Sequence, residues 1–428
     1  MVDYVILAYT SVTAAGIVLV WYAWNNRRSK RIVFGRKCKL NDFMLKEWVT
    51  YCNHGSFGTV PRKVIETQRK FQLERESDPD CWYRYQVEDI YLSAVDKVAQ
   101  FVGSDKENLV LLDNVTTGVN TVIKSLRWSP GDKILITNHT YEAVKKTVVF
   151  VNQMNPEIDV VTMKITFPIE SKRQLVNTLK ETLDANEGVK LVILDHMTSV
   201  SALLMPLEDM IPVCRQKNVM VMVDGAHAPG HVPLEVEKLG ADFYTGNLHK
   251  WCFAPRGCAF LHINPKYSDI IQPLVTSHGQ FEPRLCDRFK SQATRDYTSF
   301  CAAISAVEFL EEIGMDAITH YNTNMIEWAA DMLSNGWGTP RLAIHPTVRA
   351  PFMALIKLPR KDGDKLPAVN YANSEQLISI FYKKYDIVCA FTVVDGEFWV
   401  RISAHIYNCK EDYFKLRDAV LALITRLD

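Results

Sequence analysis

The chain has 428 residues, more than one average hydrophobic core accommodates, so two domains are expected. Hydrophobic residues make up 48% and charged residues 23%, close to globular averages, which excludes a disordered, collagen-like or disulfide-scaffold protein. Lys plus Arg and Asp plus Glu balance at 49 each, so no global field draws the chain to nucleic acid, and no nucleic-acid partner is expected.

Taken in chain order, the first feature is residues 4–24, YVILAYTSVTAAGIVLVWYAW, which carry no charge and are followed by NNRRSKR. At about 1.5 Å per residue a helix of that length spans roughly 30 Å, the thickness of a bilayer core. Trp21, Tyr22 and Trp24 gather at the end where Arg27, Arg28, Lys30 and Arg31 follow. This pattern predicts one uncleaved N-terminal transmembrane helix within an anchor and basic flank over 1–40. The catalytic part would then face the cytosol from the endoplasmic reticulum or the outer mitochondrial membrane. Ten cysteines without a C-x-x-C pair read as free thiols of a reducing compartment, and no metal site is expected.

Beyond residue 40 the middle of the chain alternates apolar runs with helical patterns. Residues 133–137, 158–165, 191–195 and 219–223 read as strands; 142–151, 174–183 and 207–217 read as helices. Near-continuous apolar strands joined by helices predict an α/β domain with a mostly parallel sheet, and ligands bind beyond the carboxyl ends of such strands. The C-terminal part changes style. A helix over 315–335, strands at 352–357 and 397–402, a buried strand at 387–391 and a last helix over 410–427 predict a smaller α+β domain.

The strand 219–223 ends in Asp224-Gly225-Ala226-His227, which puts a carboxylate at a strand tip. A helix-capping role would explain that Asp as well. After another short strand, Gly246-Asn247-Leu248-His249-Lys250-Trp251 places a lysine among aromatic and His neighbours, where its pKa can fall as a Schiff-base amine requires. By itself Lys250 could equally be a surface lysine. Together, Asp224 and Lys250 meet the two protein requirements of pyridoxal phosphate chemistry, a carboxylate for the pyridinium nitrogen and an amine for the aldehyde.

VDGAHAPG (223–230) followed by GNLHKWCFAPRGCAFL (246–261) resembles the cofactor segment of class V aminotransferases, in detail the isopenicillin N epimerase-like branch. YCNHGSFGTVP, NVTTGVNTV, NHTYEAV, TSHGQ, ATRDYTSF and RISAHIYN fit the same branch, so the resemblance spans roughly residues 48–425. It implies fold type I of the pyridoxal phosphate enzymes, with a substrate-loop segment over 41–64 belonging to the small domain, a cofactor domain over 65–314 and a small domain over 315–428. The implied catalytic residues are Lys250, Asp224, His227 and Tyr141. Thr116, Thr117, Asn247 and His249 are implied to meet the cofactor phosphate, together with Thr294 from a neighbouring subunit of a homodimer. Where the family usually has Gly before that threonine, Ala293 stands here. Tyr141 is implied to stack on the pyridine ring, with His139 as the alternative, and His227 to hydrogen-bond the 3′-oxygen. Arg401 is implied to grip the substrate carboxylate, with Asn53, His54 and Gly55 as the substrate loop.

The substrate is then a small amino acid whose Cα proton Lys250 can take as general base. A nucleophilic-cysteine desulfurase is set aside, because Cys389 lies in an apolar run that reads as a buried strand. Three outcomes diverge: loss of a β-substituent, amino transfer and epimerisation. GSFGTVP with PDCWYRYQ is similar to fungal-type relatives that cleave sulfur-substituted cysteines, such as hercynylcysteine sulfoxide lyase. Carbon-sulfur lyase activity on a cysteine derivative is therefore expected first, and an aminotransferase or epimerase second. A membrane-tethered pseudoenzyme is the alternative of another class.

Overall fold

The computed structural model describes residues 32–360 and 366–425. Its strands are β1 Thr50–Tyr51, β2 Leu109–Leu112, β3 Lys133–Thr137, β4 Asp159–Met163, β5 Val189–Asp195 and β6 Met220–Asp224. They continue with β7 Phe243–Asn247, β8 Ala259–Ile263, β9 Met353–Lys357, β10 Ile387–Val388, β11 Ala390–Val394 and β12 Glu397–Ser403. Seven form one sheet in the order β2-β8-β7-β6-β5-β3-β4. β4, β3, β5, β6 and β7 run parallel, while β8 is antiparallel to both of its neighbours.

The sequence dictates this layering. β5, β6 and β8 are apolar along nearly their whole length, and these strands with β7 are almost fully buried, as strands covered on both faces must be, whereas the edge strand β4 is largely exposed. The helix Val115–Ser125 packs on β2, β7 and β8, and the helix Leu207–Gln216 packs on β6. Register brings the tips into line: Asp195 on β5 pairs with Asp224 on β6, and Asp224 with Thr245 on β7.

A second sheet, ordered β11-β12-β9, is antiparallel and has its own core of Ile356, Leu377, Phe381, Phe391, Phe398, Val400, Leu416 and Val420. β1, early in the chain, pairs in parallel with β10, so residues 50–51 are tied to the C-terminal part. The run 387–391, expected as one strand, is two. β10 pairs with β1 and β11 turns to pair with β12, and Cys389 sits fully buried at the switch. The helix Val115–Ser125 starts where the Asn114 side chain accepts the Thr117 N–H and caps it.

The expected membrane-anchored architecture is corrected. Among the described residues no helix is long and apolar enough to cross a membrane. The segment 4–24 on which the anchor rested lies outside the described residues. The described residues therefore form an α/β fold without a membrane-crossing helix, and neither the anchor nor the placement at the endoplasmic reticulum or outer mitochondrial membrane is supported.

Candidate active site

The tips of β5, β6 and β7 deliver the charged groups. Asp224 ends β6 and is 3% exposed; its Oδ1 accepts the Ala226 N–H at 3.0 Å, and Oδ2 has no partner among the described residues. Burial raises its pKa, while the nearby Lys250 charge lowers it. Asp195 beside it is also buried, with Oδ2 unpaired, and burial together with the Asp224 charge drives its pKa well up. Of the two carboxyls, Asp195 is the one the surroundings hold neutral.

Lys250 lies on the four-residue helix Leu248–Trp251 that follows β7 directly. Part of its surface stays accessible, yet desolvation lowers its pKa to about 8 against the opposing pull of Asp224. Its Nζ is 3.1 Å from His227 Nε2. His227 is buried and kept neutral by desolvation, and its Nδ1 accepts from Trp251 Nε1 at 3.4 Å. That assigns the His227 proton to Nε2, facing the Lys250 amine.

The helix Val115–Ser125 points its N-terminus into the same region. Asn247 Oδ1 accepts the Val115 N–H at 3.0 Å, Asn114 Oδ1 accepts the Thr117 N–H at 2.9 Å, and the Thr116 N–H has no partner among the described residues. Asn247, Thr116 and Thr117 thus share one helix terminus with a free donor, where an anion is favoured. His249 donates Nδ1–H to the Cys258 carbonyl at 2.8 Å, leaving Nε2 free, and desolvation lowers its pKa to about 4. A phosphate dianion alongside would draw a proton onto that nitrogen.

Arg401, on β12, is 5% exposed and bonded only to neutral acceptors. Its guanidinium donates to the Ser199 carbonyl at 2.6 Å and Ser199 Oγ at 3.1 Å, and to Asn53 Oδ1 and Ser56 Oγ at 3.0 Å each. Nε is buried without a partner, and desolvation lowers the pKa to about 10. A buried cation with no carboxylate bonded to it is a site for one.

The other sequence-derived residues fall into two groups. Asn53 joins Arg401 directly, and the Gly55 N–H donates to Ser403 Oγ at 3.2 Å, where a side chain would meet Met353 Sδ. His54 is fully buried with both ring nitrogens bonded inside the chain, so it offers nothing to a substrate. Tyr141 is 46% exposed at the start of the helix Glu142–Met154, whereas His139 is buried with its ring edge-on to Phe167. Thr294 is exposed and lines a separate surface cavity of about 670 Å³ with Tyr83, Arg84, His278 and Lys290. Ser56, Ser199 and Asp195 escaped sequence reasoning. The last two lie at or just past the tip of β5, the place the strand rule itself marks.

An amine poised near neutrality, a strand-tip carboxylate with a free oxygen, a helix N-terminus with an unpaired N–H and a buried unpaired guanidinium fit pyridoxal phosphate and an α-amino acid. Among the described residues no cluster of His, Cys, Asp or Glu could hold a metal ion.

Residues 58–416 match the sequence model of the family described as Aminotransferase class-V. The chain is 30% identical over 411 residues to an L-cysteine desulfhydrase of Arabidopsis thaliana, covering 88% of each chain. It is 26% identical to the hercynylcysteine sulfoxide lyase of Schizosaccharomyces pombe, covering 91% of this chain and 97% of the relative. Among solved structures, a cystine C-S lyase in complex with its product cysteine persulfide superposes with a TM-score of 0.73 at 20% identity, over 88% of this chain and 98% of the other. That likeness bears on the fold.

Proposed function

The chain belongs to the class V aminotransferase family, and from that premise we propose that this pyridoxal phosphate-dependent enzyme is a carbon-sulfur lyase acting on L-cysteine or an S-substituted cysteine. The observation that carries the amino-acid part is the pairing of Lys250, whose amine is held near neutrality, with Arg401, a buried cation bonded to no carboxylate. The sulfur part rests on the relatives named as cysteine desulfhydrase and hercynylcysteine sulfoxide lyase. It is supported by Cys389 being sealed in the core, its thiol pKa raised by burial, where it cannot serve as a persulfide carrier.

In this reading residues 65–314 hold the cofactor, and 41–64 with 315–428 grip the substrate. Bound at Lys250, the cofactor supplies an electron sink that acidifies the substrate Cα–H. Arg401 orients the substrate by its carboxylate through two parallel hydrogen bonds. Lys250 Nζ takes the Cα proton, and His227 Nε2–H would hydrogen-bond the 3′-oxygen of the bound cofactor. Asp224 Oδ2 keeps the ring nitrogen protonated while Asp195 stays neutral. Thr116, Thr117, Asn247 and His249 hold the phosphate. The ring stacker is His139 or Tyr141, and burial favours His139. The functional unit is a homodimer in which Thr294, exposed on its own chain, serves the other subunit's phosphate.

For L-cysteine the balance is cysteine plus water giving pyruvate, ammonia and hydrogen sulfide. The test is a screen of sulfur amino acids that follows sulfide, pyruvate and ammonia. Pyruvate and ammonia in equal amounts, with one equivalent of sulfide from L-cysteine or of the substituted sulfur leaving group from an S-substituted cysteine, are expected from at least one substrate. Amino exchange that depends on an added keto acid, with no sulfide, would overturn the lyase reading in favour of an aminotransferase.

A further inference from the structure

The lysine-bearing turn is short, and its backbone is held from outside. The helix Leu248–Trp251 has only four residues, so the Lys250 carbonyl finds no acceptor role inside it. Its partner comes from almost 200 residues away: His54 Nε2 lies 2.8 Å from the Lys250 carbonyl, and His54 Nδ1 lies 2.9 Å from the Tyr407 hydroxyl. The segment around His54 is pressed against the same turn. Gly58 has φ +67, and a Cβ there would sit 2.2 Å from the His249 carbonyl and 2.8 Å from that of Lys250.

We infer that His54 is a positioning residue for Lys250, donating Nε2–H to its main-chain carbonyl while Tyr407 fixes the ring in that tautomer. The proton assignment follows from the partners. A carbonyl only accepts, so Nε2 carries hydrogen; a neutral imidazole then has Nδ1 as acceptor, and the Tyr407 hydroxyl donates to it. The ring stays neutral because burial lowers its pKa to about 3, and burial likewise keeps the Tyr407 hydroxyl protonated. Tyr407 is itself wedged against Phe43 at 5.1 Å, so the relay ends on a rigid core. The two neighbours of His54 in sequence reach the substrate side. Asn53 bonds Arg401, the Gly55 N–H bonds Ser403, and Ser56 bonds Arg401 again, so one loop spaces the Lys250 turn from the buried guanidinium. The segment the sequence marks as a substrate loop thus carries a second task through its most buried member.

This inference rests on the cofactor reading above, and its test measures attachment of the cofactor rather than turnover. Pyridoxal phosphate is added to the cofactor-free full chain, and the borohydride-sensitive visible band is followed as the Lys250 amine condenses with the aldehyde and releases water. Lys250→Ala sets the zero. A Gln amide at position 54 reaches the place of Nε2, and an Asn amide reaches the place of Nδ1. His54→Gln therefore keeps a donor for the Lys250 carbonyl and loses Tyr407, whereas His54→Asn does the reverse. Both variants lose the ring packing against His405 and Trp251, so packing alone predicts equal effects. His54→Gln should stay within about threefold of the native rate, and His54→Asn should slow attachment about tenfold or more, the scale of a misplaced reacting group. Equal or reversed losses would overturn the inference. Should both variants fold poorly by thermal melting, Tyr407→Phe keeps the ring and removes only the hydroxyl; it should slow attachment about threefold, in line with one lost neutral hydrogen bond. An unchanged rate in that variant overturns the inference. No band in the native chain would sink the cofactor reading and this inference together, whereas a native band with indifferent His54 variants sinks the inference alone.

Discussion

Replacing Arg401 by Met gives the sharpest test of substrate recognition. The guanidinium is 5% exposed and bonded to Ser199, Asn53 and Ser56, none of them charged, so its charge is uncompensated inside the chain. A substrate carboxylate adds two charge-assisted hydrogen bonds, each contributing ~1.5–3 kcal/mol. Breaking such a buried pair costs about 3–5 kcal/mol overall, and at about 1.4 kcal/mol per factor of ten kcat/KM for L-cysteine should fall about 10²- to several 10³-fold. Arg401→Lys keeps the charge without the planar fork and should fall between the two. The control is cysteamine, which has the same thiol and amine but no carboxylate; its inhibition constant should change less than about threefold in Arg401→Met, because the lost interaction is one it never makes. The visible cofactor band should remain, since Arg401 bonds no group on the Lys250 turn. If kcat/KM for cysteine stayed within threefold, or if cysteine and cysteamine weakened equally, the assignment of Arg401 to the carboxylate would be wrong.

Two further outcomes follow from burial. His54, His196, His227, His231, His249 and His405 all have pKa values lowered by desolvation, to about 3 for His54 and about 4 for His196 and His249. Such a group binds fewer protons folded than unfolded below its ordinary value near 6.5, so the stability present above pH 6.5 is lost as pH falls toward the folded pKa. For fully buried His54 alone this is about 2 kcal/mol at pH 5. Asp195 and Asp224, with raised values, act in the opposite sense but are outnumbered. The urea midpoint should therefore drop clearly between pH 7.5 and 5, and a flat profile would contradict the neutral-histidine interior. Cys389→Ala should keep kcat within threefold and cost about 1–2 kcal/mol of stability as a small cavity. Loss of sulfide release with folding intact would instead point to a persulfide-carrying thiol.

Much of the large sheet was legible because its strands report their own burial. Residues 133–137 form β3 as expected, and the strands expected at 191–195 and 219–223 lie within two residues of β5 and β6. The strand-tip rule then led to Asp224, and the lysine after β7 to its partner. Arg401 was legible only through resemblance, since alternating apolar neighbours fit a surface strand equally well. The splitting of 387–391 was not legible, because a run apolar throughout does not say which of two sheets each residue joins; β1, more than 330 residues earlier in sequence, decides that by pairing with β10. The buried bonding of His54 was not legible for a related reason. Its partners Lys250 and Tyr407 are distant in sequence, and a histidine in a polar loop motif gives no local sign that both of its nitrogens are spoken for.

The arrangement of charge argues that cofactor and substrate are recognised by one interior and not by two independent pockets. Lys250 and Arg401 are both cations depressed by burial, and the charge of each lowers the protonation of the buried His227. Asp224 and Asp195 lie at adjacent strand tips, yet no hydrogen bond joins either carboxylate to either cation among the described residues. Four ionisable groups held this close without direct pairing cost free energy that folding alone does not return. Asn53 and Ser56 of the loop 53–56 fill donors of Arg401 from one side, while Ser199 holds the remaining amine from the β5 side. A ligand with an anionic carboxylate for Arg401 and a protonated ring nitrogen for Asp224 settles both ends at once. Without the Asn53 and Ser56 contacts, in Asn53→Ala combined with Ser56→Ala, Arg401 should orient the carboxylate less well, so that KM for the amino acid rises while the visible cofactor band remains.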